Sequence, residues 1–269
     1  MSLRLGFIGC GNMASAIISG IVRAGYAQAD EIIASEPTAE ARDRAKTTLE
    51  VHVTDSNAYV LAQARTIFIC VKPQVLDTVL DEIKDAAQDH QLFVSIVAGV
   101  PISYYEQRFG ISKHIKIARL MPNTPALIGD GMTAVCTNSL VTQGDLQEVL
   151  SIVRSFGEAE VVPEHLFDTV TAVSGSSPAY IFMLIEAMAD AAVAGGMPRA
   201  QAYRFAAQTV RGSAQLVLSS GRHPADLKDM VCSPAGTTIA AVRVLEEKGF
   251  RSAVMDAMEA CRIRSEELH

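Results

Sequence analysis

The stretch GFIGCGNMASAI, residues 6–17, decides the fold because it joins a predicted strand to a predicted helix through a glycine-rich turn. It contains the pattern Gly-x-Gly-x-x-Ala between Gly9 and Ala14. Gly9 permits the tight turn, Gly11 lets a pyrophosphate approach the backbone, and Ala14 lets helix and strand pack closely. The N–H groups at the start of such a helix bind phosphate, helped by the helix dipole. The stretch predicts a dinucleotide site, although a tight turn without a ligand shows the same pattern.

Short apolar runs, typical of strands covered on both faces, alternate with helical patterns up to Pro163. The runs are 3–9, 31–36, 51–54, 66–71, 92–97, 116–121, 132–137 and 160–163. Beyond Pro163 the pattern is helical, over 178–196, 199–221, 237–249 and 250–268. We therefore predict an α/β protein with a Rossmann-type doubly wound, mainly parallel sheet and a C-terminal all-α helical bundle. The dinucleotide-binding domain is predicted over 1–163, and a helical dimerisation and substrate domain over 164–269.

The segment YIFMLIEAMADAAVAGG, residues 180–196, is apolar almost all round and is interrupted only by Glu186 and Asp190. A helix of this kind is expected to be buried. Because so short a bundle with so many apolar faces lacks partners of its own, we expect it to pack against a second copy of the chain. A molecular mass equal to one chain at every concentration would contradict this homo-oligomer.

Composition excludes several classes of protein. The 269 residues carry a formal net charge of −7 and no run of Lys or Arg, which argues against a nucleic-acid partner. The five cysteines form no Cys-x-x-Cys pair, so we expect reduced thiols, no metal site and a cytoplasmic location. The N-terminus enters a strand at once, without room for a signal peptide, and we expect no apolar stretch near the ~20 residues that span a membrane.

The tip of the second strand bears on the choice of cofactor. Glu36 lies near the spacing at which an acidic residue accepts hydrogen bonds from ribose hydroxyls, which suits NADH and repels a 2′-phosphate. Ser35, Thr38, Arg42 and Arg44 would hold that phosphate if the loop bends. A solvated loop glutamate is an equally good interpretation, so the sequence leaves the cofactor open.

Two further strand tips are expected to face the cofactor, because ligands in such sheets lie beyond the carboxyl ends of the strands. The fourth strand delivers Val71, Lys72 and Pro73, and the fifth delivers Ala98. Lys72 is equally well explained as a surface lysine at a helix start. Asn57 is consistent with either a ribose contact or a helix N-cap.

The late stretch CSPAGTTIAAV, residues 232–242, is the best candidate for a substrate site. Pro234 stops any helix before it, Gly236 exposes backbone, and Thr237 or Thr238 would cap the helix that follows. The resulting free N–H groups on a helix dipole form a receptor for a carboxylate. An ordinary helix–helix turn with a threonine cap is the alternative.

Several motifs resemble one family. HPADLKDMVCSPAGTTIAAVRVLEEKGFRSAVMDAMEACRIRSEEL at 223–268 is similar to the C-terminal pattern of pyrroline-5-carboxylate reductase, as are GFIGCGNMASAI, FICVKPQ, MPNTPALIGDG and SGSSPAY at 174–180. The resemblance spans essentially the whole chain. It implies reduction of the C=N bond of 1-pyrroline-5-carboxylate to L-proline, the last step of proline biosynthesis, with NADPH as cofactor and NADH as a possible one. It also implies a homodimer interleaved through the helical domain, often assembled into a decamer.

The resemblance also implies site residues. The implied cofactor contacts are Gly9, Cys10, Gly11, Asn12, Met13, Ser35, Glu36, Asn57, Val71, Lys72, Pro73 and Ala98. The implied substrate contacts are Glu164, Ser233, Gly236, Thr237 and Thr238. We expect Thr238 to be the catalytic residue that hydrogen-bonds the ring nitrogen. Two positions depart from the family pattern. Met230 replaces a polar residue, so a side-chain contact with substrate is not expected there, and Ala235 replaces a glycine, which should be harmless if its φ is negative.

Three other functions are compatible with parts of the sequence. A 3-hydroxyacid dehydrogenase needs a catalytic lysine in the helical domain, and no lysine lies between Lys116 and Lys228. A reductase of another cyclic imine acid, such as a six-membered ring, would require little more than extra room. A nucleotide-sensing protein without catalytic activity would have no use for a carboxylate receptor.

Overall fold

A computed structural model describes residues 3–267 of the chain. Its eight strands form one sheet in the order β3-β2-β1-β4-β5-β6-β7-β8. The strands are β1 (Leu3–Ile8), β2 (Ile32–Ser35), β3 (His52–Thr54), β4 (Ala64–Ile69), β5 (Leu92–Ser95), β6 (Lys116–Met121), β7 (Gly131–Thr137) and β8 (Gly157–Val161). Neighbouring strands are parallel except for β6 and β7. The predicted mainly parallel sheet is confirmed, and β8 begins before its predicted run.

Apolar side chains cover both faces of this sheet. The helices of this part are α1 (Asn12–Arg23), α2 (Ala39–Leu49), α3 (Asn57–Gln63), α4 (Pro73–Ile83), α5 (Ile102–Phe109), α6 (Gln143–Val153) and α7 (Phe167–Val170). Successive side chains of a strand point to opposite faces, so Phe7 lies in one core cluster and Ile8 in the other. Phe7 also stacks on Phe68, with ring centroids 4.7 Å apart. Because both faces are buried, the parallel strands are continuous apolar runs in the sequence.

A buried carboxylate fixes the start of α6 to the sheet. Asp145 is 2% exposed and accepts hydrogen bonds from the Thr142 hydroxyl at 2.6 Å and the Thr142 amide at 3.1 Å. It also pairs with Lys116 at 2.9 Å and with Arg65. Burial raises the pKa of Asp145, but the hydrogen bonds from Thr142 and Lys116 outweigh burial and hold this pKa at about 2. The carboxylate therefore stays ionised in the folded protein even in mild acid.

Asp145 is expected to make folding stability depend on pH in acid. Its pKa is depressed on folding, so its contribution is complete above the unfolded value of about 4 and disappears as the pH falls towards 2; the shift is worth about 2.5 kcal/mol. Urea unfolding of the wild type and of Asp145→Asn at pH 6 and pH 3 would measure it. The difference in unfolding free energy between the two proteins should shrink by about 1 kcal/mol at pH 3, and an equal difference at both pH values would contradict the assignment.

The helices after Gly175 form a second compact unit. The described chain divides into residues 3–175 with 262–267 and the unit Ser176–Cys261. The second unit contains α8 (Ser177–Ala194), α9 (Arg199–Ser220), α10 (Pro224–Val231), α11 (Thr237–Glu247) and most of α12 (Phe250–Glu266). Helix α10 has no counterpart among the predicted helices, and the predicted residue Leu268 lies outside the described residues. The predicted domain boundary after Pro163 stays a prediction.

Helix α8 differs from its prediction. We expected this apolar helix to be buried, but within the single chain only Ala189 of α8 is buried. Phe182 and Met183 are 63% and 68% exposed. Burial of such a helix depends on apolar partners, and its own unit does not supply enough of them. The uncovered apolar surface of α8 therefore calls for a partner outside the chain.

A second expectation, on membrane spans, is wrong. The helical stretch Glu164–Ala194 is long and apolar enough, by length and composition, to cross a membrane, and it is the one such helix found among residues 3–267. The stretch includes a π-helical turn at Thr171–Gly175 that precedes α8. Core helices of soluble proteins pass the same test of length and composition.

Candidate functional site

The glycine-rich turn has the geometry of an open phosphate cradle. Gly9 adopts φ +87°, and a Cβ there would lie 3.0 Å from the Cys70 carbonyl oxygen. Gly11 is the N-cap of α1 with φ −74° and ψ −170°, and a Cβ there would meet no atom within 4 Å. Gly9 is therefore required by the turn itself, whereas the absence of a side chain at Gly11 leaves empty space in front of the helix.

The first amides of α1 point into this space without a side-chain acceptor. The N-cap residue Gly11 has no side chain that could accept a hydrogen bond from them. The N–H groups of Asn12 and Met13 also have no partner within the helix. Cys10 is buried, and burial raises the pKa of its thiol. The cradle thus fits the pyrophosphate of a dinucleotide, which accepts hydrogen bonds from backbone amides.

At the end of β2 the polar side chains already have partners. Ser35 is 2% exposed, and its hydroxyl donates to Asn57 Oδ1 at 2.6 Å. The Asn57 amide donates to Glu82 Oε2 at 2.6 Å. The N-cap of α3 is Ser56, which accepts from the Tyr59 amide, so the interpretation of Asn57 as an N-cap is wrong. Glu36 turns towards the glycine-rich turn, where its Oε1 accepts from the Cys10 amide at 2.5 Å.

The tips of β4 and β5 lie beside those of β1 and β2 at the same edge of the sheet. Lys72 is the exposed N-cap of α4, and Pro73 is its first residue. Val71 packs near the turn, since a Cβ at Gly9 would lie 3.1 Å from its side chain. Ala98 is exposed beyond the end of β5. The structure therefore brings the predicted cofactor residues together around one edge.

Glu164 has partners that the sequence did not reveal. Its Oε1 accepts from the Arg119 guanidinium at 3.0 Å and from the Ile102 amide at 2.7 Å. Arg119 is 5% exposed and lies over the Phe167 ring at 4.5 Å. This carboxylate balances a buried cation, and its implied contact with substrate stays a prediction. The one signal in the sequence was an arginine inside an apolar strand, which requires a partner when buried.

Asn123 is a second residue that sequence reasoning missed. Its amide donates to the Ser174 carbonyl at 3.1 Å, and its oxygen accepts from the Met132 amide at 2.9 Å. It therefore joins the end of β6 to the π-helical turn before α8 and to the start of β7. The available signal was an asparagine between two prolines in MPNTP, and the structure shows that this asparagine is buried.

The late loop corrects two expectations. The N-cap of α11 is Gly236, with no side-chain cap, and Thr237 begins the helix, so neither threonine is the N-cap. Ala235 has φ +60°, in the left-handed region that disfavours a Cβ, so our condition of a negative φ is not met. A Cβ at Gly236 would lie 2.3 Å from Ser233 Oγ and 3.1 Å from the Ser233 carbonyl oxygen, so a larger residue here would displace the Ser233 side chain. The first amides of α11, at Thr237 and Thr238, therefore remain without a helical partner.

The cysteines are not part of a disulfide. All five are free thiols, and burial raises the pKa of Cys136 to about 12. Among residues 3–267 no group of three or more His, Cys, Asp or Glu side chains is placed to hold a metal ion.

Comparison with known proteins gives consistent matches along the chain. Residues 164–268 match the family model for pyrroline-5-carboxylate reductase dimerisation, and residues 4–99 match that for NADP oxidoreductase, coenzyme F420-dependent. The chain is 52% identical to the pyrroline-5-carboxylate reductase of Escherichia coli (strain K12) over 268 residues, covering 100% of this chain and 99% of that one.

Solved structures agree with these matches. A pyrroline-5-carboxylate reductase from Coxiella burnetii has a TM-score of 0.90 at 32% identity, covering 100% of this chain and 99% of that one. The Plasmodium falciparum pyrroline carboxylate reductase with NADP bound has a TM-score of 0.89 at 32% identity, covering 99% of this chain and 98% of that one.

Proposed function

The chain belongs to the pyrroline-5-carboxylate reductase family, and from this premise we propose which of its residues carry out the reaction. It is an NAD(P)H-dependent oxidoreductase that reduces the C=N bond of 1-pyrroline-5-carboxylate to L-proline. The observation that carries the proposal is that α1 and α11 both begin at an uncapped glycine, Gly11 and Gly236. Each helix thus offers free amides to an anion: the cofactor's pyrophosphate at one, the substrate's carboxylate at the other.

The N-terminal unit is proposed to hold the cofactor. The amides after Gly11 bind the pyrophosphate, and the tips carrying Glu36, Lys72 and Ala98 line the riboses and the nicotinamide. The reduced nicotinamide supplies the hydride that adds to the imine carbon. The chain's own residues contribute by binding and orienting the two reactants and by excluding water.

The loop from Ser233 to Thr238 is proposed to hold the substrate. The amides of Thr237 and Thr238 receive its carboxylate, while the Thr238 hydroxyl hydrogen-bonds the ring nitrogen and fixes the orientation of the imine. Hydride adds most readily to the protonated iminium. One proton from solvent on the nitrogen and one hydride on the carbon therefore convert the C=N bond into CH–NH. His165, beside Glu164, is a second candidate for the proton donor.

Thr238→Ala tests this assignment. Removing one transition-state hydrogen bond to a charged partner is worth about 1.5–3 kcal/mol, which lowers kcat/KM roughly tenfold or more. Thr238→Ser keeps the hydroxyl and should retain most of the wild-type kcat/KM. Initial rates at fixed NADPH and varied substrate measure the effect, and unchanged kinetics in the alanine variant would remove Thr238 from the mechanism.

Consumption of NADPH or NADH on addition of 1-pyrroline-5-carboxylate, followed by absorbance, tests the whole proposal. Equal or faster turnover of a six-membered cyclic imine acid would indicate that the substrate has a different ring. Binding of a nicotinamide cofactor without turnover of either acid would indicate a nucleotide-sensing protein.

The family's dimerisation region covers residues 164–268, so the chain forms a homo-oligomer. We propose that its unit is a homodimer through the helical region, assembled further into a decamer, in the cytoplasm and without nucleic acid or membrane as partner. The net charge of −7 supports the absence of a nucleic-acid partner, because phosphate backbones bind basic surfaces. Light scattering would measure the number of chains.

A further inference from the structure

The loop that follows β5, residues 96–101, is held at its start by buried hydroxyl groups. The Ser95 hydroxyl forms a 2.6 Å hydrogen bond with the Tyr105 hydroxyl of α5, and it accepts from the Val97 amide at 3.1 Å. Ser95 and Tyr105 are 1% and 0% exposed. These bonds tie the end of β5 to α5, so the loop between them is closed at its base.

The end of the same loop is held by a side chain from a distant part of the chain. Pro101 is the N-cap of α5 and has no side chain that could accept a hydrogen bond from the helix. Glu164 lies 62 residues beyond Ile102, and its Oε1 accepts from the Ile102 amide at 2.7 Å. The carboxylate therefore takes the place of an N-cap side chain, and its charge suits the positive end of the helix dipole.

Arg119 fixes the position of the Glu164 carboxylate. Its guanidinium donates to the same Oε1 at 3.0 Å and is 5% exposed. Arg119 lies directly beside Ser95 in the sheet, as its partner in the β5–β6 register. A buried guanidinium requires an anionic partner, because an unpaired buried charge is strongly unfavourable. The pair therefore holds the carboxylate next to the loop that follows β5.

This loop carries Ala98, which is exposed beyond the tip of β5. The strand order places β4 and β5 on one side of β1 and β2 on the other. With the pyrophosphate at the turn after β1 and the adenosine ribose at the tip of β2, we expect the nicotinamide half to extend across the tips of β4 and β5. A shift of the loop would therefore change the backbone surface that this half of the cofactor meets.

We infer that Glu164 is a positioning residue for the nicotinamide half of the cofactor site, and that it fixes the loop at 96–101 through the Ile102 amide. The inference rests on the proposed dinucleotide site. It differs from the substrate contact that the family resemblance implies, because the carboxylate acts here through the backbone. Without this acceptor, cofactor binding has to order the loop itself, and one lost hydrogen bond to a charged acceptor corresponds to about tenfold in Kd.

Calorimetric titration of Glu164→Ala, without substrate, tests this role. The Kd for NADPH should rise about tenfold, whereas the Kd for ADP-ribose 2′-phosphate, which lacks the nicotinamide, should keep the wild-type value. Glu164→Gln retains an oxygen for the Ile102 amide and should recover most of the NADPH affinity. The double variant Arg119→Met/Glu164→Ala removes the acceptor without leaving a buried cation unpaired, so it should show the same rise in a more stable protein.

Asp145→Ala is the matched control. It also removes a buried carboxylate that accepts from a helix start and pairs with a cation, but its partner Lys116 begins β6 and so lies at the opposite edge of the sheet. This variant should lower the melting temperature and leave the Kd values for NADPH and for ADP-ribose 2′-phosphate unchanged.

The outcomes separate the inference from the proposed function. An unchanged Kd for NADPH in the folded Glu164→Ala protein overturns the inference, and a raised KM for 1-pyrroline-5-carboxylate in that protein would make Glu164 a substrate contact. An equal rise for NADPH and for ADP-ribose 2′-phosphate, or a rise in Asp145→Ala, would indicate a general loss of structure and overturn it as well. A wild type that binds neither NADPH nor NADH overturns the dinucleotide site itself.

Discussion

Replacing Gly11 by valine is expected to weaken NADPH binding by about 100-fold or more while the protein still folds. Gly11 has φ −74° and ψ −170°, extended backbone that any residue adopts. A Cβ there meets no protein atom within 4 Å, so the valine side chain would extend into the space proposed for the pyrophosphate. Keeping the pyrophosphate from the first amides of α1 removes at least two charge-assisted hydrogen bonds of about 1.5–3 kcal/mol each, and each 1.4 kcal/mol is a factor of about ten in Kd.

Titration with NADPH, together with the melting temperature, checks this result. Gly144→Val is the matched control, because Gly144 lies in the first turn of α6 and its nearest neighbour would be Thr142 Oγ1 at 3.8 Å. The control should bind NADPH as the wild type does. Gly9 is unsuitable for this purpose, since its φ of +87° and its closeness to Cys70 would disturb folding as well as binding. Wild-type affinity in a folded Gly11→Val protein would contradict the proposed cradle.

The parts of the fold with a local sequence signal were predictable. The sheet was predictable because strands buried on both faces leave continuous apolar runs, as TIFICV and LFVSIV do. The turn after β1 was predictable because glycine is favoured at both positions: Gly9 adopts a positive φ, and Gly11 leaves open space beside the helix start. In both cases the residues that determine the structure lie within a few positions of each other.

Contacts with a distant partner and unusual backbone angles were not predictable from the sequence. Glu164 pairs with Arg119, and Glu36 with the Cys10 amide, across separations of 45 and 26 residues that no periodicity encodes. Ala235 adopts φ +60° although alanine does not favour it, because the surrounding loop imposes the angle. The burial of α8 was misjudged for a third reason: the chain exposes a surface that its sequence marks as internal.

That exposed surface leads to the largest expected effect. Replacing both Phe182 and Met183 by aspartate should weaken self-association about a thousand-fold or more, since each loses about 1.5–3 kcal/mol of apolar burial and each new carboxylate resists desolvation. Residues 181–184 are all more than a third exposed, so several sides of α8 lack apolar neighbours. A helix uncovered on several sides fits an interleaved second copy better than a flat contact with one.

Light scattering over a range of concentrations distinguishes the outcomes. The wild type should give a multiple of the chain mass and the double variant a lower mass, whereas Gln147→Asp, at an exposed polar position on α6 outside the dimerisation region, should keep the wild-type mass. Co-flotation of the wild type with phosphatidylcholine vesicles would instead assign the stretch Glu164–Ala194 to a lipid partner. An unchanged mass in the double variant would also contradict the proposed interface, because two buried, unpaired carboxylates are incompatible with a tightly packed apolar contact.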